Sequence, residues 1–158
     1  MYKVDSPKIL FASAYHSSFQ YYMPYKTAVS SLDSYLANAG AEKKFTMVLQ
    51  FDKAMDRESV ENLTNWEIGR STSSKPGQSY NYGFRIPSTE IQMRPLPDNV
   101  SYDAKQFQAT VTFTIRQNAT GDGTIDPSHI EFKFSGQDAF GNKMDPKFDQ
   151  YMGISGSF

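Results

Sequence analysis

Phe45, Met47, Leu49 and Phe51 recur at every second position of the chain, and so do Phe107, Ala109, Val111, Phe113 and Ile115. Successive side chains of an extended strand point to opposite faces, so a period of two places each set on one side of its strand. Each run therefore reads as a strand with one face against a core. Ile130, Phe132 and Phe134 open a third run of the same kind. The 12 Phe and 10 Tyr reinforce this, because aromatic side chains suit a pleated, half-buried surface.

The remaining segments fit around that frame. Lys8 to Ala12 follows Pro7 as a short apolar strand, and Asn65-Trp66-Glu67-Ile68 reads as another. Short strands are also expected at Tyr82 to Ile86 and Glu90 to Arg94, and Met144 to Ile154 runs out to the end. Between Pro24 and Ala39 the period changes: Tyr25, Ala28, Val29, Leu32, Tyr35, Leu36 and Ala39 recur at helical spacing. Pro24 suits a first helical turn and Gly40 a stop, so one amphipathic helix is expected there, its stripe against the sheet. A dense aromatic segment, Tyr15 to Tyr25, leads into it. Asp56, with Ser59 three residues on, suggests a capped turn of helix. Ser71 to Tyr80 reads as an exposed loop, and Asp138-Ala139-Phe140-Gly141-Asn142 as a tight turn. Six or seven short strands with one inserted helix near the N-terminus predict an antiparallel β-sandwich, a single domain over 1–158.

Composition narrows the function. The 16 Lys and Arg against 17 Asp and Glu produce no long-range field for polyanions, so no nucleic-acid partner is expected. Cysteine is absent, which excludes disulfides, thiolate metal sites and Cys nucleophiles. Only His16 and His129 are present, too few for a His-rich zinc site. No stretch approaches the roughly 18 apolar residues of a membrane helix, so direct membrane insertion is not expected.

Phe51-Asp52-Lys53-Ala54-Met55-Asp56-Arg57-Glu58-Ser59-Val60, followed by Asn65-Trp66-Glu67-Ile68, resembles a bacterial Ig-like family found in S-layer and other surface proteins. Its second mark, a strand leading into Asp-x-x-Gly-Asn, is matched by Asp138-Ala139-Phe140-Gly141-Asn142 about one Ig domain later. The resemblance covers roughly Lys44 to Met144; the segment at 15–39 and the loop at 69–80 depart from the family pattern. It implies an Ig-like β-sandwich that is extracellular or on the bacterial cell surface. Such domains serve as non-catalytic spacers, assembly or adhesion modules whose partners are neighbouring domains or other surface proteins.

Several residue groups carry chemistry of their own. Asp138 and Asn142 read first as turn builders that bond nearby backbone amides, with Gly141 supplying a positive φ. Calcium is the sharper alternative and the one cofactor considered. Asn118 to Asp126 echoes an EF-hand loop, although its closing position is His129 rather than Glu. The metal candidates are Asp122, Asp126, Asp138 and Asn142. Tyr21, Tyr22, Tyr25, Tyr80 and Tyr82 are candidates for ligand or partner contact. Stacked on sugars, they would make a carbohydrate-binding module with glycans as partners; turned inward, they would seal the core. No catalytic residues are expected: neither His has a nucleophile-elbow context, and Gly-rich phosphate loops are absent.

Overall fold

A computed structural model describes residues 6–14, 27–32, 34–70, 89–91, 94–125 and 130–152. In chain order the strands are β1 (Ile9–Ala14), β2 (Thr27–Ala28), β3 (Glu42–Phe51), β4 (Trp66–Arg70), β5 (Asn99–Asp103), β6 (Gln108–Arg116), β7 (Thr124–Ile125), β8 (Ile130–Phe134) and β9 (Gln150–Met152). One short helix, α1 (Arg57–Glu61), lies between β3 and β4.

The strands assemble as a four-stranded sheet in the order β1-β3-β6-β5, a three-stranded sheet β4-β8-β9 and the small pair β2-β7. All these strand pairs are antiparallel. β3 and β6 form the spine, in register from Glu42↔Arg116 to Gln50↔Gln108. The alternation read from the sequence determines which face is buried: Phe45, Met47, Leu49 and Phe51 of β3 and Ala109, Val111, Phe113 and Ile115 of β6 are all in the core. Rings cross from one sheet to the other, Phe51 to Phe134 at 5.6 Å and Phe113 to Phe132 at 5.3 Å between centroids, both edge-on. Each such pair adds roughly 0.5–1.5 kcal/mol beyond the area it buries. Trp66 packs on Phe134 at 4.7 Å, and its indole N–H donates to the Val60 carbonyl at 2.7 Å. The one Trp is thus a core residue with its polar atom satisfied.

The helix expected over 24–39 is not what the described part of that stretch forms. Thr27–Ala28 pairs with β7, and the Val29 N–H donates to Gly123 O at 3.0 Å, which keeps this residue out of a helical ladder. Two 3-10 turns follow, Val29–Ser31 and Ser34–Ala37. Ser31 Oγ bonds back to Ala28 O at 2.6 Å, a local competition with the helix that serine is suited to. Val29, Leu32 and Leu36 are nonetheless buried. A 3-10 turn repeats every three residues, so it buries nearly the same stripe as the expected helix.

Three smaller expectations need adjusting. Phe107 precedes β6 instead of opening it, and holds φ +57° in the turn that joins β5 to β6. Asp56 is the N-cap of α1, but its side chain makes no capping bond; Ser59 Oγ instead accepts the Gln137 N–H at 2.9 Å. Within 90–94, where Glu90, Ile91 and Arg94 are described, the backbone forms an isolated bridge from Glu90 to Thr124 in place of the expected strand. The segment 15–25, the loop 71–80 and the strand at 82–86 lie outside the described residues.

Candidate functional site

Two sheet margins are closed by the protein's own groups. At β5, the Tyr102 N–H donates to Glu61 Oε2 at 2.9 Å and the Tyr102 carbonyl accepts from Arg57 at 2.8 Å, so the two ends of α1 cap that edge. At β4, the Ile68 N–H donates to the Pro95 carbonyl at 2.8 Å. An edge whose N–H and C=O groups are engaged offers little to a stray strand.

The β1 margin differs in its side chains. Ile9 pairs with Phe51, yet Phe11 pairs with Gln50, so Leu10 is the extra residue of a β-bulge. Without the bulge, Phe11 would follow Ile9 to the core face. With it, Leu10 and Phe11 are both turned outward, 55% and 54% exposed. Phe148 joins them at 45% exposed: its carbonyl accepts the Ile9 N–H at 2.9 Å, and the Lys8 ammonium sits 4.9 Å from its ring centroid. Bulges that re-aim a side chain are found next to functional sites more often than elsewhere.

The metal candidates fall on separate loops. Asp122, between β6 and β7, is exposed, and its Oδ1 accepts from Thr120 Oγ1 at 2.5 Å. Asp138, between β8 and β9, is fully buried. Its Oδ1 accepts the N–H of Phe140 at 2.8 Å and of Asn142 at 2.9 Å, and its Oδ2 accepts the Asn142 side-chain amide at 3.0 Å. Gly141 holds φ +85° at the bend. Burial pushes the Asp138 carboxyl up, but the Asn142 side-chain amide, the backbone N–H groups of Asn142 and Phe140 and the charge of Lys53 outweigh it, leaving the group below its ordinary value of 3.8. Asp138 and Asn142 are thus brought together as a turn, and a cation on this carboxylate would compete with the bonds that shape it. Among the described residues, no group of three or more His, Asp or Glu is placed to hold a metal. Asp126, Tyr21, Tyr22, Tyr25, Tyr80 and Tyr82 lie outside the described residues.

Residues the sequence reading passed over include Leu10, Phe11 and Phe148, and two buried polar groups, Gln117 and Asp149. Gln117 donates to Leu36 O at 2.7 Å and accepts from Asn118 N at 2.8 Å and Gly123 N at 2.6 Å, tying the second 3-10 turn to the loop before β7. Asp149 lines a cleft of about 200 Å³ with Lys133, Ser135, Gly136, Lys143 and Met144.

The described residues thus define an antiparallel all-β protein, and none of its described helices is long and apolar enough to cross a membrane. No protein-family model matches the chain, and no curated protein does. Among solved structures it is similar to the crystal structure of the S-layer protein rSbsC(31-844), with 12% identity and a TM-score of 0.45. That match covers 95% of this chain and 13% of the other, so the chain spans about an eighth of the length of that protein.

Proposed function

We propose that the chain is a non-catalytic structural and contact module, a single Ig-like β-sandwich of a bacterial cell-surface protein. Its work is to space neighbouring modules and to meet one of them along the β1 margin. The surface placement rests on the sequence resemblance carried by Phe51 to Ile68 and Asp138 to Asn142. The contact role rests on one observation: a bulge turns Leu10 and Phe11 outward together, beside Phe148, where strict alternation would have buried Phe11. The fully buried carboxylate Asp138 builds a turn, which fits a non-catalytic reading.

The chain holds no cysteine, so an introduced thiol is unique within it; the same label on the intact protein without the introduced thiol serves as the background. Leu10→Cys carrying a polarity-sensitive dye is compared in the isolated chain and in the intact protein on the cell surface. The expected outcome is water-like emission from the isolated chain and a blue shift at the surface, where a neighbour covers the margin. Equal emission in the two settings would overturn the contact role.

A further inference from the structure

Residues 145–150 hold the two sheets together at the β1 end. The Asp145 N–H donates to Pro7 O at 3.0 Å, and Phe148 O accepts the Ile9 N–H at 2.9 Å, both anchoring the start of β1. One residue on, Asp149 O accepts the Phe134 N–H at 2.8 Å, and Gln150 pairs with Lys133. The same short segment is thus bonded to β1 in one sheet and to β8 in the other. Within it stands Asp149, 9% exposed, whose Oδ1 is sealed from solvent and has no side-chain or neighbouring hydrogen-bond partner among the described residues.

We propose that the Asp149 carboxyl is an acid-responsive latch on this staple: ionised, it loosens residues 145–150, and protonated, it lets them close. A carboxylate with a sealed oxygen has lost hydration that its neighbours replace only in part, whereas the neutral acid loses far less. Among the described residues, the charged groups around it come from β8 and from the connection between β8 and β9. Lys133 on β8 favours the ionised form, and Asp145 in the turn opposes it. Lys143, from the loop between β8 and β9, lines the same cleft. Burial is the largest influence and, with Asp145, outweighs both Lys133 and the backbone N–H of Asp149 itself, which favour the ionised form, so the group titrates above its ordinary value of 3.8.

The direction follows from proton linkage. The closed segment holds a proton on Asp149 more tightly than the opened one, so closure strengthens as pH falls through the folded-state titration and levels off below 3.8. Rising pH has the opposite effect. The exposed Phe148 ring and the start of β1 sit on this staple, so the latch sets how firmly the margin is held. It operates whether or not that margin meets a partner.

The test is amide hydrogen exchange at Ile9 and Phe134, whose N–H groups donate into the segment, from neutral pH down to about pH 4 after correction for intrinsic rates. Protection is expected to rise as pH falls, by at most about tenfold per pH unit for one linked proton. Asp149→Asn is expected to remove that slope and to match or exceed the wild type at neutral pH. Wild-type protection that stays flat or falls with acid would overturn the latch. So would an Asn variant less protected than wild type at neutral pH, since the ionised carboxylate would then be doing the holding. If the variant does not fold, carboxyl-carbon NMR of the wild type decides: a midpoint above 3.8 supports the latch and one at or below 3.8 refutes it.

Discussion

Truncating Asp138 to Ala separates a turn builder from a metal ligand. The carboxylate has no exposed surface and accepts three hydrogen bonds at 2.8, 2.9 and 3.0 Å, from the backbone of Phe140 and Asn142 and from the Asn142 amide. The turn is also tied to the rest of the molecule, because the Ala139 N–H donates to Ala54 O at 3.1 Å and Met55 bridges to Asp138. Hydrogen bonds to a charged group contribute about 1.5–3 kcal/mol each. They do not add fully: the exposed Phe140 recovers water, and truncation also relieves the desolvation of the carboxylate. The balance is a loss of about 2–4 kcal/mol, well above the ~0.5 kcal/mol of an ordinary surface change. Urea unfolding at neutral pH reads this directly as a lower midpoint at unchanged slope. The folded-state carboxyl titrates below 3.8, so its contribution is present above 3.8 and disappears as pH falls through the lower folded value. The gap between wild type and variant is therefore expected to close in strong acid. A loss within ~0.5 kcal/mol would refute the reasoning, as would a gap that appears only when calcium is added.

Substitutions at two further positions test parts of the interior that no local pattern announces. Gln117→Ala strands the Leu36 carbonyl and the N–H groups of Asn118 and Gly123, so chemical denaturation is expected to show a loss of about 2–4 kcal/mol, with Gln117→Glu recovering only part because it keeps the acceptor and loses the donor. Gly136→Ala places a Cβ against the Phe134 ring and Ser59 Oγ, and thermal melting is expected to show a loss of about 1–3 kcal/mol from overpacking; an unchanged midpoint would mean that the ring can move aside.

What was legible in the chain follows the range of the interaction. The period of two located β3, β6 and β8 because burial of one strand face leaves its mark on neighbouring residues. The Asp138 turn was legible for the same reason, since its acceptor and donors lie within four residues. The stripe at Val29, Leu32 and Leu36 is buried as its spacing implies, but on 3-10 turns instead of the expected helix. A spacing of three or four residues does not distinguish a helix from 3-10 turns, and the deciding contact, Val29 with Gly123, comes from far along the chain. The β1 bulge is a register shift against β3, so Lys8 to Ala12 looks like any short apolar strand. Gln117 reaches Leu36, 81 residues back, and Asp149 is enclosed by the turn and strand residues 133–144, so an isolated Gln or Asp carries no sign of its burial.

Magnitudes also decide what kind of contact the β1 margin can make. Full burial of a Leu or Phe side chain is worth about 1.5–3 kcal/mol, and the three here are already near half buried, so covering the rest yields roughly 2–4 kcal/mol in all. Bringing two free proteins together costs an estimated 4–15 kcal/mol in lost translation and rotation. These side chains alone therefore cannot hold independent chains together. A neighbour linked through the same polypeptide has met most of that cost already, with an effective concentration of about millimolar for a short flexible linker. In the tethered arrangement proposed above, the margin would be of a size to set the angle between modules. The staple of residues 145–150 carries one of its rings, so the latch proposed at Asp149 would act on that angle as well.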